Sequence, residues 1–341
     1  MPAAILGDRA SGKTTFLGLL YAAQVKYGTK FQDTFRFHAP PDSLKVMSAV
    51  YEGMKGGNFP GATLKDEITE LSFIFGYRGW KGKFEAKLPQ ALRERLNQRV
   101  NPFFTLEFGV YDVSGEDVEE YIESGVAASP IIQQLLKSVI IVILVDCSKM
   151  TKDIDSPAFK KMVSYDTAIA KLLVNFQTYK KQEYERQKSQ GMDVNPPVIY
   201  PVIVLAKHDM ISDEILSQLG LHREAPPASN FMQRRKYAET LLGVFLKQSL
   251  SQLKGGRIVG VNFDQSAYFC SWIHTETAEG MATPGKPRIV RKKFSTEGVG
   301  EPDFSYDEYV AFIEHFRDIA KKMPDDVEEK DKLGQGGAPS A

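Results

Sequence analysis

Residues 5–20 read ILGDRASGKTTFLGLL. A short apolar strand runs into a loop of glycine, serine and lysine, then directly into an apolar helix. A turn that only reversed the chain would not need Lys13 between Gly12 and the pair Thr14 and Thr15. GDRASGKT at 7–14 fits G-x-x-x-x-G-K-[ST], the P-loop pattern. There the glycines let successive main-chain N–H groups face phosphate oxygens, and the following helix adds the positive end of its dipole. The expected phosphate cradle is therefore Gly7, Asp8, Arg9, Ala10, Ser11, Gly12, Lys13, Thr14 and Thr15. Lys13 would reach the β- and γ-phosphates, and the Thr14 hydroxyl would ligate Mg²⁺.

Outward from that loop, strand-like runs fall at 2–6, 68–77, 103–111, 138–145, 199–206 and 266–271. Several are apolar throughout, which suits strands buried on both faces. The second and third lie close together in sequence and suit an antiparallel pair. Helical periodicity falls at 13–27, 43–54, 86–99, 157–189, 229–253 and 306–322. Strands alternating with helices predict an α/β fold of three layers: a mostly parallel sheet with one antiparallel strand, and helices on both faces. One domain is expected over 1–322, with additions at about 28–62 and 273–305. The apolar-poor tail 323–341 is expected to be disordered. The end of the helix at 157–189, YKKQEYERQKS, is polar all round and should project into solvent.

Composition narrows the function classes. Lys+Arg and Asp+Glu balance at 43 each in 341 residues, so no global field recruits nucleic acid or anionic lipid. The two cysteines, Cys147 and Cys270, imply no disulfide framework and suit a reduced, cytoplasmic setting. No CxxC or HExxH pattern points to zinc. The longest apolar run, SVIIVILV at 138–145, is too short for a membrane span. The opening Met-Pro-Ala offers neither a signal peptide nor a myristoylation site.

Two further stretches bear on the ligand. FGVYDVSGED at 108–117 puts Asp112 at a strand end with Gly115 three residues on. A carboxylate there can hold Mg²⁺ through water, while the glycine N–H meets the γ-phosphate. PVIVLAKHDM at 201–210 delivers Ala206-Lys207-His208-Asp209 from an apolar strand. With these motifs in order, the chain resembles the Ras-like GTPases of the translation-factor-related P-loop class. The size of the chain and its Pro-x-x-Thr-like stretch at 60–63 suggest a divergent prokaryotic branch.

The resemblance implies that GTP or GDP binds with Mg²⁺. Asp209 would accept hydrogen bonds from guanine N1 and N2, and the Lys207 stem would cover the ring. Where that family carries Asn or Thr before the lysine, this chain has Ala206, so one side-chain tie between base pocket and P-loop is missing. The family's last motif is matched in part by Cys270-Ser271-Trp272, with a main-chain N–H near Trp272 facing guanine O6. The threonine that closes on Mg²⁺ and γ-phosphate is assigned to Thr63 in FPGATLKD, with Thr34 as the alternative. Glu116 stands where relatives carry the glutamine that orients the attacking water, so hydrolysis should be slow. Arg9 either leans on the phosphates as a cis cation or faces solvent and pairs with an acid.

The function this implies is a slow GTPase switch acting toward a regulatory or effector protein. The rivals are a nucleotide-binding scaffold that does not hydrolyse and a P-loop ATPase or kinase. PRIVRKKF at 287–294 reads as a solvated hairpin; a phosphate lid, or a peripheral contact with membrane or nucleic acid, are its alternatives.

Overall fold

The computed structural model describes residues 2–8, 10–30, 35–38, 41–61, 69–78, 103–112, 136–255, 261–277, 287–292 and 300–322. The expected helix at 86–99 and the tail 323–341 lie outside them, as do Arg9, Thr34, Thr63, Gly115 and Glu116. Among the described residues no helix is long and apolar enough to cross a membrane.

Eight strands build the main sheet: β1 (Pro2–Gly7), β2 (Phe35–His38), β3 (Thr69–Arg78), β4 (Phe103–Asp112), β5 (Ile140–Asp146), β6 (Val198–Ala206), β7 (Asn262–Phe263) and β8 (Ala267–Ser271). Their order is β2-β3-β4-β1-β5-β6-β7, with β8 also on β6. β4, β1, β5, β6, β7 and β8 pair in parallel, and β3 runs against both of its neighbours. The mostly parallel sheet with one reversed strand is as the sequence predicts. β2 departs from the expectation: it lies in the segment 28–62, read from sequence as an addition, and extends the sheet at one edge.

Every residue of β5 is buried, as is β6 from Ile199 onward, which explains their unbroken apolar sequences. Pro201 is tolerated inside β6 for a local reason. Tyr200 sends its N–H to Val139 on the β5 side, while Ile199 meets Asp264 on the other. Alternation then aims the position of Pro201's missing N–H at the gap between β7 and β8, where no ladder bond is lost.

One apolar core lies on each face. Toward α1 (Lys13–Lys30), α2 (Pro41–Lys55) and α7 (Tyr306–Lys322), the sheet sends Ile5, Val142, Leu144 and Val204. Toward α3 (Pro157–Ser189), α4 (Asp213–Gln218), α5 (Phe231–Phe245) and α6 (Lys247–Gly255), it sends Leu6, Ile143, Ile203 and Leu205. α1 buries Phe16, Leu17, Leu19, Leu20, Ala22 and Ala23, more than one stripe, because α2 and α7 cover its outer side. α2 approaches α1 at Gly18, where a Cβ would stand 2.6 Å from Val50 Cγ1.

The expected single helix at 229–253 is two, broken at Leu246 (φ −130°, ψ 50°). Asp166 of α3 supplies the reason. Its buried carboxylate accepts from the N–H groups of Gln248 (2.9 Å) and Ser249 (2.8 Å), capping α6 from another helix. α3 itself starts at Ser156, whose hydroxyl accepts from Phe159 N–H, with Pro157 in the first turn. No residue of α3 beyond Gln177 is buried, so its polar end does project from the core.

The segment 273–305 contains a hairpin, β9 (Thr275–Thr277) against β10 (Pro287–Ile289), followed by β11 (Arg291–Lys292) against β12 (Glu301–Pro302). Residues 287–292 of the basic stretch are thus anchored. Ile289 is buried in the core, and its N–H donates to Gly57 O beyond α2.

Candidate functional site

Parallel strands send their carboxyl ends to one edge of the sheet. Asp112 ends β4 in register near Ile5, Gly7 ends β1 beside Leu144, and Asp146 ends β5 directly opposite Ala206 of β6. Ala206 in turn stands opposite Ser271 of β8. β1 has β4 on one side and β5 on the other, so the chain crosses over at its end. Ligands of open α/β sheets bind at such a switch point. The loop that follows β1 occupies it.

That loop is held in an unusual shape. Ser11 N–H returns to Asp8 O (3.0 Å), Gly12 has φ +92°, and Ala10 takes φ +62° without being glycine. Gly7 must lack a side chain, because a Cβ there would stand 2.4 Å from Ser11 Oγ. Ser11 Oγ is buried and has no hydrogen-bond partner among the described residues. Lys13, only 7% exposed, folds back over the loop and donates to Gly7 O (2.8 Å) and Asp8 O (3.4 Å). Phe16 N–H on Gly12 O begins the helix (2.7 Å), leaving the first-turn N–H groups at the loop. Thr14 and Thr15 lie in that first turn, both half-buried.

From β6 comes Lys207, in the left-handed region at φ +53°. Its ammonium donates to Ala10 O in the loop (2.9 Å) and to Asp146 Oδ2 (2.8 Å). A left-handed lysine costs about 1–2 kcal/mol, and those two contacts fix the turn. Lys149 joins the group, pairing with Asp8 and standing 3.8 Å from Asp146. Sequence reading overlooked Asp146 and Lys149. The available signal was a carboxylate ending the most apolar strand.

Asp209 follows in a short 3₁₀ turn, His208–Met210. Burial raises its pKa, while its own N–H and the charges of His274, Arg223 and Lys207 pull the other way. No other described side chain bonds to its carboxylate, so its remaining acceptor positions stay open to a ligand. His208 points inward instead, to Tyr237 Oη at 2.9 Å.

Ser271 and Trp272 are engaged within the protein. The Ser271 hydroxyl meets Tyr309 Oη at 2.6 Å. The Trp272 N–H, expected to face a base, donates to Ser305 Oγ at 3.1 Å. Two residues earlier, Cys270 N–H donates to Glu308 Oε2 at 2.9 Å. The edge of β8 is thus closed by side chains at the start of α7, which removes these groups from those offered to a ligand. The Trp272 ring stacks on His274, 4.6 Å between centroids, and His274 Nδ1 lies 2.6 Å from Asp303 Oδ2.

His208 gives the region an acid limit. Burial, then the charges of Arg234 and Arg223, pull its pKa from 6.5 down to about 4. The folded protein holds it neutral while the unfolded chain takes up a proton, so its contribution is complete above about pH 6.5 and is lost as pH falls toward 4. The shift corresponds to about 3 kcal/mol. Denaturation curves from pH 7 to 4 should show His208→Gln losing less stability over that window than the wild type; parallel losses would contradict this.

Among the described residues, no group of three or more His, Cys, Asp or Glu is gathered as a metal site. A cation held mainly by phosphate oxygens, one hydroxyl and one carboxylate needs no such group. No family model matches the chain, and no curated protein matches it.

Proposed function

We propose that the chain binds a guanine nucleotide with Mg²⁺ at the carboxyl edge of its sheet, hydrolyses GTP slowly, and acts as a switch toward a protein partner. The observation that carries this reading is the 2.9 Å bond from Lys207 Nζ to Ala10 O. It joins the glycine-lysine loop to the Ala206–Asp209 segment, 197 residues away at that contact, so that one ligand lying across both would meet the two motifs together.

The residues present fit such a ligand. Ser11 carries a buried hydroxyl with no partner among the described residues, and Lys13 rests its ammonium on carbonyls at the loop, where an anion would be a better partner. The N–H groups opening α1 add the positive end of a dipole. Thr14 and Asp112 would hold Mg²⁺, whose charge offsets that building on the phosphate oxygens. Thr63 is the further candidate for closing on it. Asp209, with open acceptor positions, suits guanine's N1–H and N2–H₂; adenine has an acceptor at N1 and would leave the carboxylate unpaired. Gly115 and Glu116 follow Asp112 closely in sequence, where an N–H could sense the γ-phosphate and a carboxylate could orient water. Arg9, between Asp8 and Ala10, is the candidate cis cation.

Single-turnover assays with protein in excess over γ-labelled GTP test the proposal. The expected result is Mg²⁺-dependent phosphate release at a rate on the order of 10⁻³ per second or slower. Saturable binding without release would leave a nucleotide-binding scaffold. Absence of binding would contradict the whole reading.

A further inference from the structure

Building on the guanine-nucleotide reading of this edge, we infer that Asp146 is the positioning residue for the loop, supplying from the neighbouring strand the tie that Ala206 cannot make.

Asp146 and Ala206 are direct partners in the parallel β5–β6 register, so their side chains leave the sheet on the same face, side by side. Ala206 offers only a methyl. Asp146 is 3% exposed, and both of its oxygens are used. Oδ1 accepts from Ser148 N–H (3.1 Å) and Ser148 Oγ (2.6 Å). Oδ2 accepts from Lys207 Nζ (2.8 Å), with Lys149 Nζ at 3.8 Å. Those two ammonium groups reach the loop at two different points, Ala10 O and the Asp8 carboxylate. A single buried carboxylate is therefore the hub of two tethers to the loop.

Burying a carboxylate costs several kcal/mol unless it is paired, and Ser148 satisfies only one oxygen. The second oxygen is spent on the lysine that covers the site. Through it, Asp146 fixes Lys207 in its left-handed turn, and with it the spacing between the loop and Asp209. A nucleotide must meet both at once, so a loosened Lys207 should let it escape faster.

Charge alone argues the opposite. Removing Asp146 leaves two cations less compensated beside a site for phosphates, which would tighten binding of an anion. The sign of the effect therefore separates positioning from bulk electrostatics.

The experiment compares Kd and dissociation rate for fluorescently labelled GDP, with Mg²⁺, in the wild type, Asp146→Asn, Asp146→Ala and the double variant Asp146→Ala with Ala206→Asn, alongside thermal melts of each. Asp146→Asn keeps an acceptor for Ser148 and turns an amide N–H₂ toward Lys207, so it tests the tether in a folded protein. The expected result is faster dissociation by about tenfold or more in both single variants, a loss of the size one charge-assisted contact gives. In the double variant the amide introduced on β6 should recover most of that loss, because it restores a tie from that strand itself. Dissociation within about twofold of wild type in Asp146→Asn, or tighter binding, overturns the inference while the nucleotide reading stands. A loss that Ala206→Asn does not recover overturns it as well. A wild type that does not bind GDP overturns the reading of the site, and the inference with it.

Discussion

Lys13→Ala is expected to weaken GDP and GTP binding by about a hundredfold or more. Hydrogen bonds to charged groups are worth about 1.5–3 kcal/mol each, and an ammonium set between two phosphates would make at least two. A loss of about 3 kcal/mol corresponds to a factor of more than a hundred in Kd. In the protein alone the same ammonium caps two loop carbonyls, Gly7 O and Asp8 O. The lysine is only 7% exposed and its bond to Gly7 O is buried, so the nucleotide-free variant should itself lose about 1–3 kcal/mol of stability. Circular dichroism at the titration temperature shows whether the variant is still folded, and lost affinity in a folded variant is the signature of a ligand contact. A titration of labelled GDP reads it directly, and a Kd within about threefold of wild type would contradict it.

Glu308→Ala should cost the fold about 3–5 kcal/mol, the range for breaking a buried ion pair by removing one partner. Arg234 is 2% exposed, and its guanidinium grips Glu308 through both terminal nitrogens, at 3.0 and 2.5 Å, with Nε on Pro226 O. The same carboxylate takes the Cys270 N–H at the sheet edge. Alanine leaves a buried guanidinium and an edge N–H without their acceptor, and unties α5 from α7. For a chain of 341 residues the melting temperature should fall by roughly 4–7 °C. Differential scanning calorimetry measures it, and a change under about 1 kcal/mol would mean that water reaches the pair.

Much of the architecture was legible because it is local. The apolar runs of β5 and β6 and the periodic stretches of α1, α3 and α7 carry their own signal. β2 did not, since Phe35–His38 is four residues long and pairs with only one neighbour. The break at Leu246 was hidden too, because its cause, Asp166, lies far off in sequence and meets Gln248 and Ser249 only after α3 folds onto the sheet. At the site, Lys13 and Asp209 were readable from their spacing within short motifs. Asp146, Lys149, Ser305 and Glu308 were not, for their importance comes from register and packing. Ser305 also shows where a motif misleads: the Trp272 N–H sits at the expected strand end but is already used to close that edge.

The central claim is that one guanine nucleotide spans the loop at Lys13 and the carboxylate of Asp209. Calorimetric titration of the nucleotide-free protein with GDP and, separately, ADP in the presence of Mg²⁺ tests it most directly. The account predicts a single GDP site with ADP weaker by about a hundredfold or more, since ADP would leave Asp209 unpaired. Equal affinities, or no heat of binding with GDP, would contradict it.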